Sequence, residues 1–107
     1  MKRGDVWWVN FNPSIGGEIQ KVRPAIIVSN DAANKFLNRI QVVPVTSKTE
    51  KVYPSEAFVT VGGKKVKAVA DQINTASKLR FTKKIDELST DDLRKVETAI
   101  KVQLDLQ

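Results

Sequence analysis

The fold is decided by the stretch AFVTVGGKKVKAVA, residues 57–70. Two runs with alternating or β-branched apolar residues, 57–61 and 65–70, flank Gly62-Gly63-Lys64. Strand-like runs on either side of a glycine pair are typical of two antiparallel strands joined by a tight turn. The sequence therefore predicts a β-hairpin at this point.

Strand patterns also precede this hairpin. Residues 6–11 are aromatic and β-branched, and residues 24–28 form a continuous apolar run with Pro24 at its first position, where no ladder hydrogen bond is lost. Residues 40–45 form another run, in which Pro44 suggests an edge strand or a bulge. Between these strands, the capping residues of 29–34 predict a short helix that extends to Leu37.

The C-terminal segment has a different periodicity. Ser89 and Asp92 form a capping box, and apolar side chains then recur at intervals of three or four residues at Leu93, Val96 and Ile100. This spacing predicts an amphipathic helix that packs on a sheet.

The segments together predict a mainly β protein with α (class α+β). Five to seven short strands, one small helix and one C-terminal helix are best buried as a strongly bent antiparallel sheet or small barrel. The length of 107 residues predicts one domain that spans 1–107.

The composition narrows the chemistry. The chain has no His and no Cys, so disulfides, thiolate nucleophiles, Cys/His zinc sites and imidazole proton shuttles are excluded. A net charge of +6 indicates a polyanionic partner. No apolar run is long enough to span a membrane, and no apolar segment follows the charged N-terminus, so we expect no signal peptide and a cytoplasmic location.

Polar groups cluster where predicted strands end, the usual position of functional residues. They comprise Glu18 and Lys21 in a Gly-containing loop, Arg23 before a strand, Thr46 and Ser47 after one, and Asp71 and Gln72 after another. Each also has an ordinary structural explanation, because turns are rich in such residues. An Arg, two hydroxyls and a carboxylate at neighbouring strand ends would suit a phosphodiester. The scattered Asp residues and glycine pairs match neither a metal cluster nor a phosphate-binding loop, so we expect no metal and no cofactor.

Five blocks of the chain make a family recognisable. They are Arg3–Val9, Val22–Asp31, Val43–Ser47, Ala70–Thr75, and the tail from Lys78 into the capped helix. In this order they resemble the MazF/PemK-like mRNA-interferase toxins of type II toxin–antitoxin systems, and the resemblance covers nearly the whole chain.

The resemblance implies a small SH3-like barrel of the plasmid-maintenance toxin or cell-growth inhibitor type, shared with the CcdB gyrase poisons. It implies a homodimer that cleaves single-stranded RNA sequence-selectively and without metal, chiefly mRNA, with tRNA or rRNA as further targets. It also implies a cognate antitoxin with an acidic disordered segment, and contact with DNA only through the toxin–antitoxin complex.

Carried over by position, the resemblance implies that Arg23, Thr46 and Glu18 are catalytic. RNA-binding roles fall on Ser47, Lys21, Asp71, Gln72 and Lys48. Some family members add a loop His and an Arg two positions before the Asp of the fourth block. This chain has no His, and Val69 occupies the second position, so those roles are not assigned here.

Two alternatives stay open from the sequence. The first is a toxin of the same fold that poisons DNA gyrase, which would not need Arg23 and Thr46. The second is a non-catalytic nucleic-acid-binding barrel, which would need more exposed aromatic residues for base stacking than this chain offers.

Overall fold

We analysed a computed structural model, which describes residues 1–13, 16 and 21–107. Its strands and helices are listed here in chain order: β1 Asp5–Asn10, β2 Val22–Ile27, α1 Asp31–Phe36, β3 Arg39–Thr46, β4 Glu56–Val61, β5 Lys64–Val69, β6 Asn74–Ser77, β7 Phe81–Glu87 and α2 Thr90–Gln103.

The strands form one strongly curled antiparallel sheet in the order β4-β5-β3-β2-β1-β7, and β6 also pairs with β3. The predicted class, mainly β with a C-terminal helix around a bent sheet, is therefore confirmed. The predicted hairpin is β4–β5, and its turn residues Gly62 and Gly63 have φ values of 58° and 78°. Positive φ at both central residues matches the right-handed twist of the flanking strands, and glycine adopts it without steric cost.

The sheet has two faces with separate cores. One face, called the helix face, contributes Val6, Ile26, Val43 and Val45 to a core that includes Val96 of α2. The opposite face, called the far face, carries a second buried cluster that includes Val9, Ala25, Ile27, Ile40 and Val42. Because residues alternate between faces along a strand, this division fixes the side of the sheet on which each polar strand residue lies.

The two strand prolines, Pro24 and Pro44, occupy positions that differ from the sequence prediction. Pro24 is the third residue of β2 rather than the first, at a level where β2 pairs with β1 and the ladder to β3 has not yet begun. β3 is central rather than an edge strand, but its neighbour changes from β6 at Val42 to β5 at Val45. On that side of β3, Pro44 falls in the gap between the two ladders, while on the other side it pairs with Ala25 of β2.

Two helices are confirmed. The side chain of Asn30 accepts the N–H of Ala33 and caps α1, and the hydroxyl of Ser89 accepts the N–H of Asp92 and caps α2. Both contacts satisfy amide donors that the first helical turn leaves unpaired. No helix in the part of the chain that the structure describes has both the length and the apolar character needed to cross a membrane.

Candidate active site

Arg23 and Thr46 lie at the ends of two adjacent strands. In the ladder between β2 and β3, Ala25 is opposite Pro44. The β2–β3 ladder ends at this pair, and Arg23 and Thr46 each lie two residues beyond it on their own strand; there Arg23 pairs with Val9 of β1 and Thr46 with Lys67 of β5. Arg23 is two residues before Ala25 on β2, and Thr46 is four residues after Val42 on β3. Because every second residue of a strand points to the same face, Arg23 and Thr46 both belong to the far face. Both residues are half-buried.

The chain turns directly after Thr46. The hydroxyl of Thr46 accepts the backbone N–H of Lys48 at 3.2 Å, which holds the exposed residues Ser47 and Lys48 against the end of β3. Such a hydroxyl–backbone contact is a common way to fix a turn. It leaves two hydroxyls and one ammonium group beside the predicted phosphate-binding arginine.

Lys21 lies where the chain re-enters the sheet beside Arg23. Its backbone N–H donates to the Asn12 side chain at 3.0 Å, and its carbonyl accepts the N–H of Phe11 at 3.0 Å. The guanidinium of Arg80 donates to the carbonyls of Asn10 and Asn12. Both ends of the intervening segment are thus fixed close to Arg23. Glu18, the predicted base within that segment, lies outside the described residues.

Asp71 and Gln72 lie in a 3₁₀ turn, Ala70–Gln72, between β5 and β6. These strands pair with the same side of β3, β5 at Val45 and Thr46 and β6 from Arg39 to Val42. The turn therefore crosses the gap on that side of β3. Ala70 of the turn packs with Ala99 of α2, so the turn lies beside α2 on the helix face, with Asp71 exposed and Gln72 half-buried, whereas Arg23 and Thr46 belong to the far face.

Two residues that the sequence analysis did not single out belong to this region. Asn74 is opposite Val42 and hence on the far face. Arg80 and Asn74, together with Phe11, Thr75 and Ala76, line a cavity of about 270 Å³. Arg80 gave no signal in the sequence because it lies far from the strand ends that it ties together, and only the fold reveals that role.

The described acidic residues do not form a metal-binding cluster. Within the described ranges no group of three or more His, Cys, Asp or Glu side chains could hold a metal ion. The described part of the region instead offers two guanidinium groups, of Arg23 and Arg80, with two hydroxyls and two lysines, a donor set that matches the oxygens of a phosphodiester.

A known family shares this fold. The model of the PemK-like, MazF-like toxins of type II toxin–antitoxin systems matches residues 2–104. Endoribonuclease MazF9 of Mycobacterium tuberculosis is 40% identical to the chain, with 99% of this chain and 98% of that protein covered. The crystal structure of MazF from Deinococcus radiodurans has a TM-score of 0.88 at 28% identity and covers 99% of this chain and 97% of its own. A MazE–MazF crystal structure from the same organism has a TM-score of 0.79 at 30% identity and covers 100% and 98%.

These likenesses define the class as a toxin of a type II toxin–antitoxin system. The chain belongs to the PemK-like, MazF-like toxin family. The predicted family and the predicted enzyme class, a toxin endoribonuclease, are therefore confirmed.

Proposed function

We propose that this toxin cleaves single-stranded RNA, chiefly mRNA, at the end of the sheet where β2 and β3 bring Arg23 and Thr46 together, and thereby blocks translation and growth. The observation that supports the proposal is the antiparallel pairing of β2 and β3, which brings the strand end that carries Arg23 next to the strand end that carries Thr46. RNA supplies its own nucleophile, the 2′-hydroxyl. The protein then needs only to orient the hydroxyl, remove its proton, stabilise the charged phosphorane and protonate the leaving oxygen.

Arg23 is assigned to the scissile phosphate. A guanidinium can hold two phosphate oxygens at once, and its charge counts most in the transition state, where negative charge develops. A guanidinium is a poor general acid, so we assign it electrostatic stabilisation rather than proton donation. Thr46 and Ser47 donate hydrogen bonds to a phosphate oxygen.

Glu18 is assigned as the acceptor of the 2′-hydroxyl proton. A carboxylate is a weak base, so turnover is expected to be slow. The support for this role is that Glu18 lies in the chain between Asn12 and Lys21, which hydrogen-bond to each other two residues before Arg23. The products are a 2′,3′-cyclic phosphate, or the 3′-phosphate formed from it, and a 5′-hydroxyl.

The remaining polar residues are assigned to substrate binding. Lys21 and Lys48 contact phosphates on either side of the scissile one, since both are exposed and flank the ends of β2 and β3. Asp71 and Gln72 contact base edges, because a carboxylate and an amide can accept and donate the hydrogen bonds that distinguish bases. The reaction needs no metal ion, since the guanidinium supplies the positive charge.

Partners follow from the family and the charge. We propose that a cognate antitoxin covers the site with an acidic disordered segment, which the net charge of +6 would attract. We also propose that the protein contacts DNA only as part of that toxin–antitoxin complex. A second copy of the chain is proposed to cover the apolar cavity of about 420 Å³ beside the end of α2, lined in part by Ile73, Ile100, Leu104 and Leu106. The proposed location is the cytoplasm, where the RNA substrate is found, without membrane contact.

The experiment is an incubation of the purified protein with a long RNA and with DNA of the same sequence, each with and without EDTA. RNA should be cut at a few sequences into fragments with 5′-hydroxyl ends, equally well in EDTA, and the DNA should stay intact. Loss of cleavage in EDTA would contradict the metal-free mechanism. Cleavage of the DNA would contradict attack by the 2′-hydroxyl.

A further inference from the structure

A basic patch lies away from Arg23 and Thr46, where the N-terminal residues meet α1 and the 3₁₀ turn Lys78–Arg80. A cavity of about 510 Å³ is lined there by Lys2, Lys35 and Lys78, which we call the lysine patch. The N–H of Lys78 donates to the carbonyl of Asn38 at 2.9 Å, which fixes the turn beside the end of α1.

The charge of the lysine patch is not neutralised locally. In the part of the chain that the structure describes, none of its three ammonium groups forms an ion pair. Asp31 also lines the cavity, but its Oδ1 already accepts the backbone N–H of Arg3 at 2.7 Å. Three cations beside one engaged carboxylate leave an excess of positive charge at the surface.

An exposed aromatic ring adjoins the lysine patch. Phe36, the last residue of α1, is 78% exposed, and the ammonium nitrogen of Lys35 lies 5.4 Å from the centre of its ring. The fold gives this ring no packing role. Cations beside exposed aromatic rings are the combination by which proteins bind single-stranded nucleic acid, since phosphates pair with the cations and bases stack on the rings.

β6 runs along β3 toward the lysine patch. β6 runs along β3 from Asn74, opposite Val42, to Ser77, opposite Arg39, and Lys78 follows directly. From Thr46 to Arg39 a strand advances about 23 Å at roughly 3.3 Å per residue. A stacked strand of nucleic acid advances roughly 3.4 Å per nucleotide, so about seven nucleotides cover this distance.

We infer that the lysine patch and Phe36 bind the flank of the RNA strand whose scissile phosphate is held at Arg23 and Thr46. The inference rests on the proposed function. RNA is favoured over an acidic protein because the patch continues the path of β6 and because its ring is placed for base stacking. The site would make cleavage of long RNA more efficient than cleavage of short RNA.

The test compares two RNAs that carry the same mapped cleavage sequence, one with short flanks and one extended on both sides by enough nucleotides to reach the patch. The protein is compared with K35Q/K78Q, with Phe36→Ala, and with K64Q/K65Q as the control. The control removes the same charge at the tip of the β4–β5 hairpin, where both lysines are exposed. Binding is measured by fluorescence anisotropy and cleavage by single-turnover kinetics.

K35Q/K78Q should bind and cleave the short RNA like the wild-type protein but lose the advantage of the long one. Two lost phosphate contacts should lower the slope of log affinity against log salt by about 1.4 for the long RNA only. Phe36→Ala should weaken binding of the long RNA on the order of tenfold through lost stacking. K64Q/K65Q should retain the difference between the two RNAs.

The inference would be overturned by an unchanged advantage of the long RNA in K35Q/K78Q or by an equal loss in K64Q/K65Q. A change of oligomeric state in the patch variants would assign the surface to a second copy of the chain and would overturn it as well. Weaker antitoxin binding without any effect on long RNA would assign it to the acidic partner and would likewise overturn it. If the wild-type protein cleaves neither RNA, the proposed function itself fails.

Discussion

At the scale of single residues, the hydroxyl of Thr46 has two roles. Its oxygen accepts the N–H of Lys48 and thereby shapes the turn, while its hydrogen remains available to donate to a phosphate oxygen. A side chain that keeps the shape but lacks the hydroxyl should therefore fold and fail in catalysis.

Thr46→Val retains the β-branch and the volume and removes the hydroxyl. We expect folded protein whose single-turnover cleavage rate is lower on the order of 100-fold, the usual effect of one lost donor to a developing oxyanion. Thr46→Ser, the matched control, should keep most of the rate. Equal rates in the wild-type protein and Thr46→Val would show that this hydroxyl has no part in the reaction.

The sequence predicts that the polar residues at strand ends are functional, but it does not predict which of them lie close together in the fold. Arg23 and Thr46 are distant in sequence, and only the pairing of β2 with β3 brings the ends of their two strands together. Arg80 was missed for the same reason. Its contacts with Asn10 and Asn12 span nearly seventy positions of the chain and leave no local pattern.

At the scale of elements, the clearest predictions rest on local signals. The β4–β5 hairpin has a glycine pair, and α2 has a capping residue and a sustained helical period. β7 was not predicted, and its sequence explains why. Its register against β1 shifts twice, so the alternation of buried and exposed side chains that marks a strand is broken in its charged sequence.

The two edge strands of the curled sheet, β4 and β7, border an open seam, which is bridged by carboxylate hydrogen bonds rather than by a strand ladder. Asp86 of β7 accepts the N–H of Gly62 at 2.7 Å and that of Glu87 at 2.8 Å, and Asp92 of α2 accepts the N–H of Thr60 at 2.9 Å. The hydrogen bonds from the Gly62 and Glu87 backbones lower the pKa of Asp86 below its ordinary value. The charged form of Asp86 thus favours the folded state, because the folded protein binds this proton less tightly than the unfolded chain does.

Asp86→Asn should lower the free energy of unfolding at pH 7 by about 1 kcal/mol, since one of the two backbone donors then faces an amide nitrogen. Because the pKa in the folded protein is depressed, this contribution is present above the ordinary pKa and is lost as the pH falls through the folded value. The difference between the variant and the wild-type protein should therefore shrink in acid. Urea denaturation at neutral and acidic pH measures it.

The matched control is Asp105→Asn, which removes the same charge from an exposed residue beyond the end of α2 and should change stability little. If Asp86→Asn loses no more stability than Asp105→Asn at pH 7, the seam does not depend on this carboxylate.

At the scale of the whole molecule, a net charge of +6 shapes how the protein meets its partners. Arg23, Lys21 and Lys48 are proposed to contact phosphates, and each such contact with single-stranded RNA releases counterions. The affinity for a short RNA should fall with salt with a log–log slope of about −2. Lys48→Gln should reduce that slope by about 0.7, and K64Q/K65Q should leave it unchanged. A slope near zero would rule out phosphate contacts as the main source of affinity.

The absence of His gives the whole account its sharpest consequence. Without imidazole, we assign the main positive charge at the scissile phosphate to Arg23, whose strand is the direct neighbour of the strand that carries Thr46. The most direct measurement is therefore the single-turnover cleavage of one RNA, in EDTA, by the wild-type protein and by Arg23→Ala, with thermal unfolding recorded for both. Arg23→Ala should unfold at a similar temperature and cleave on the order of 100- to 1000-fold more slowly. A folded Arg23→Ala protein that cleaves at the wild-type rate would contradict the account.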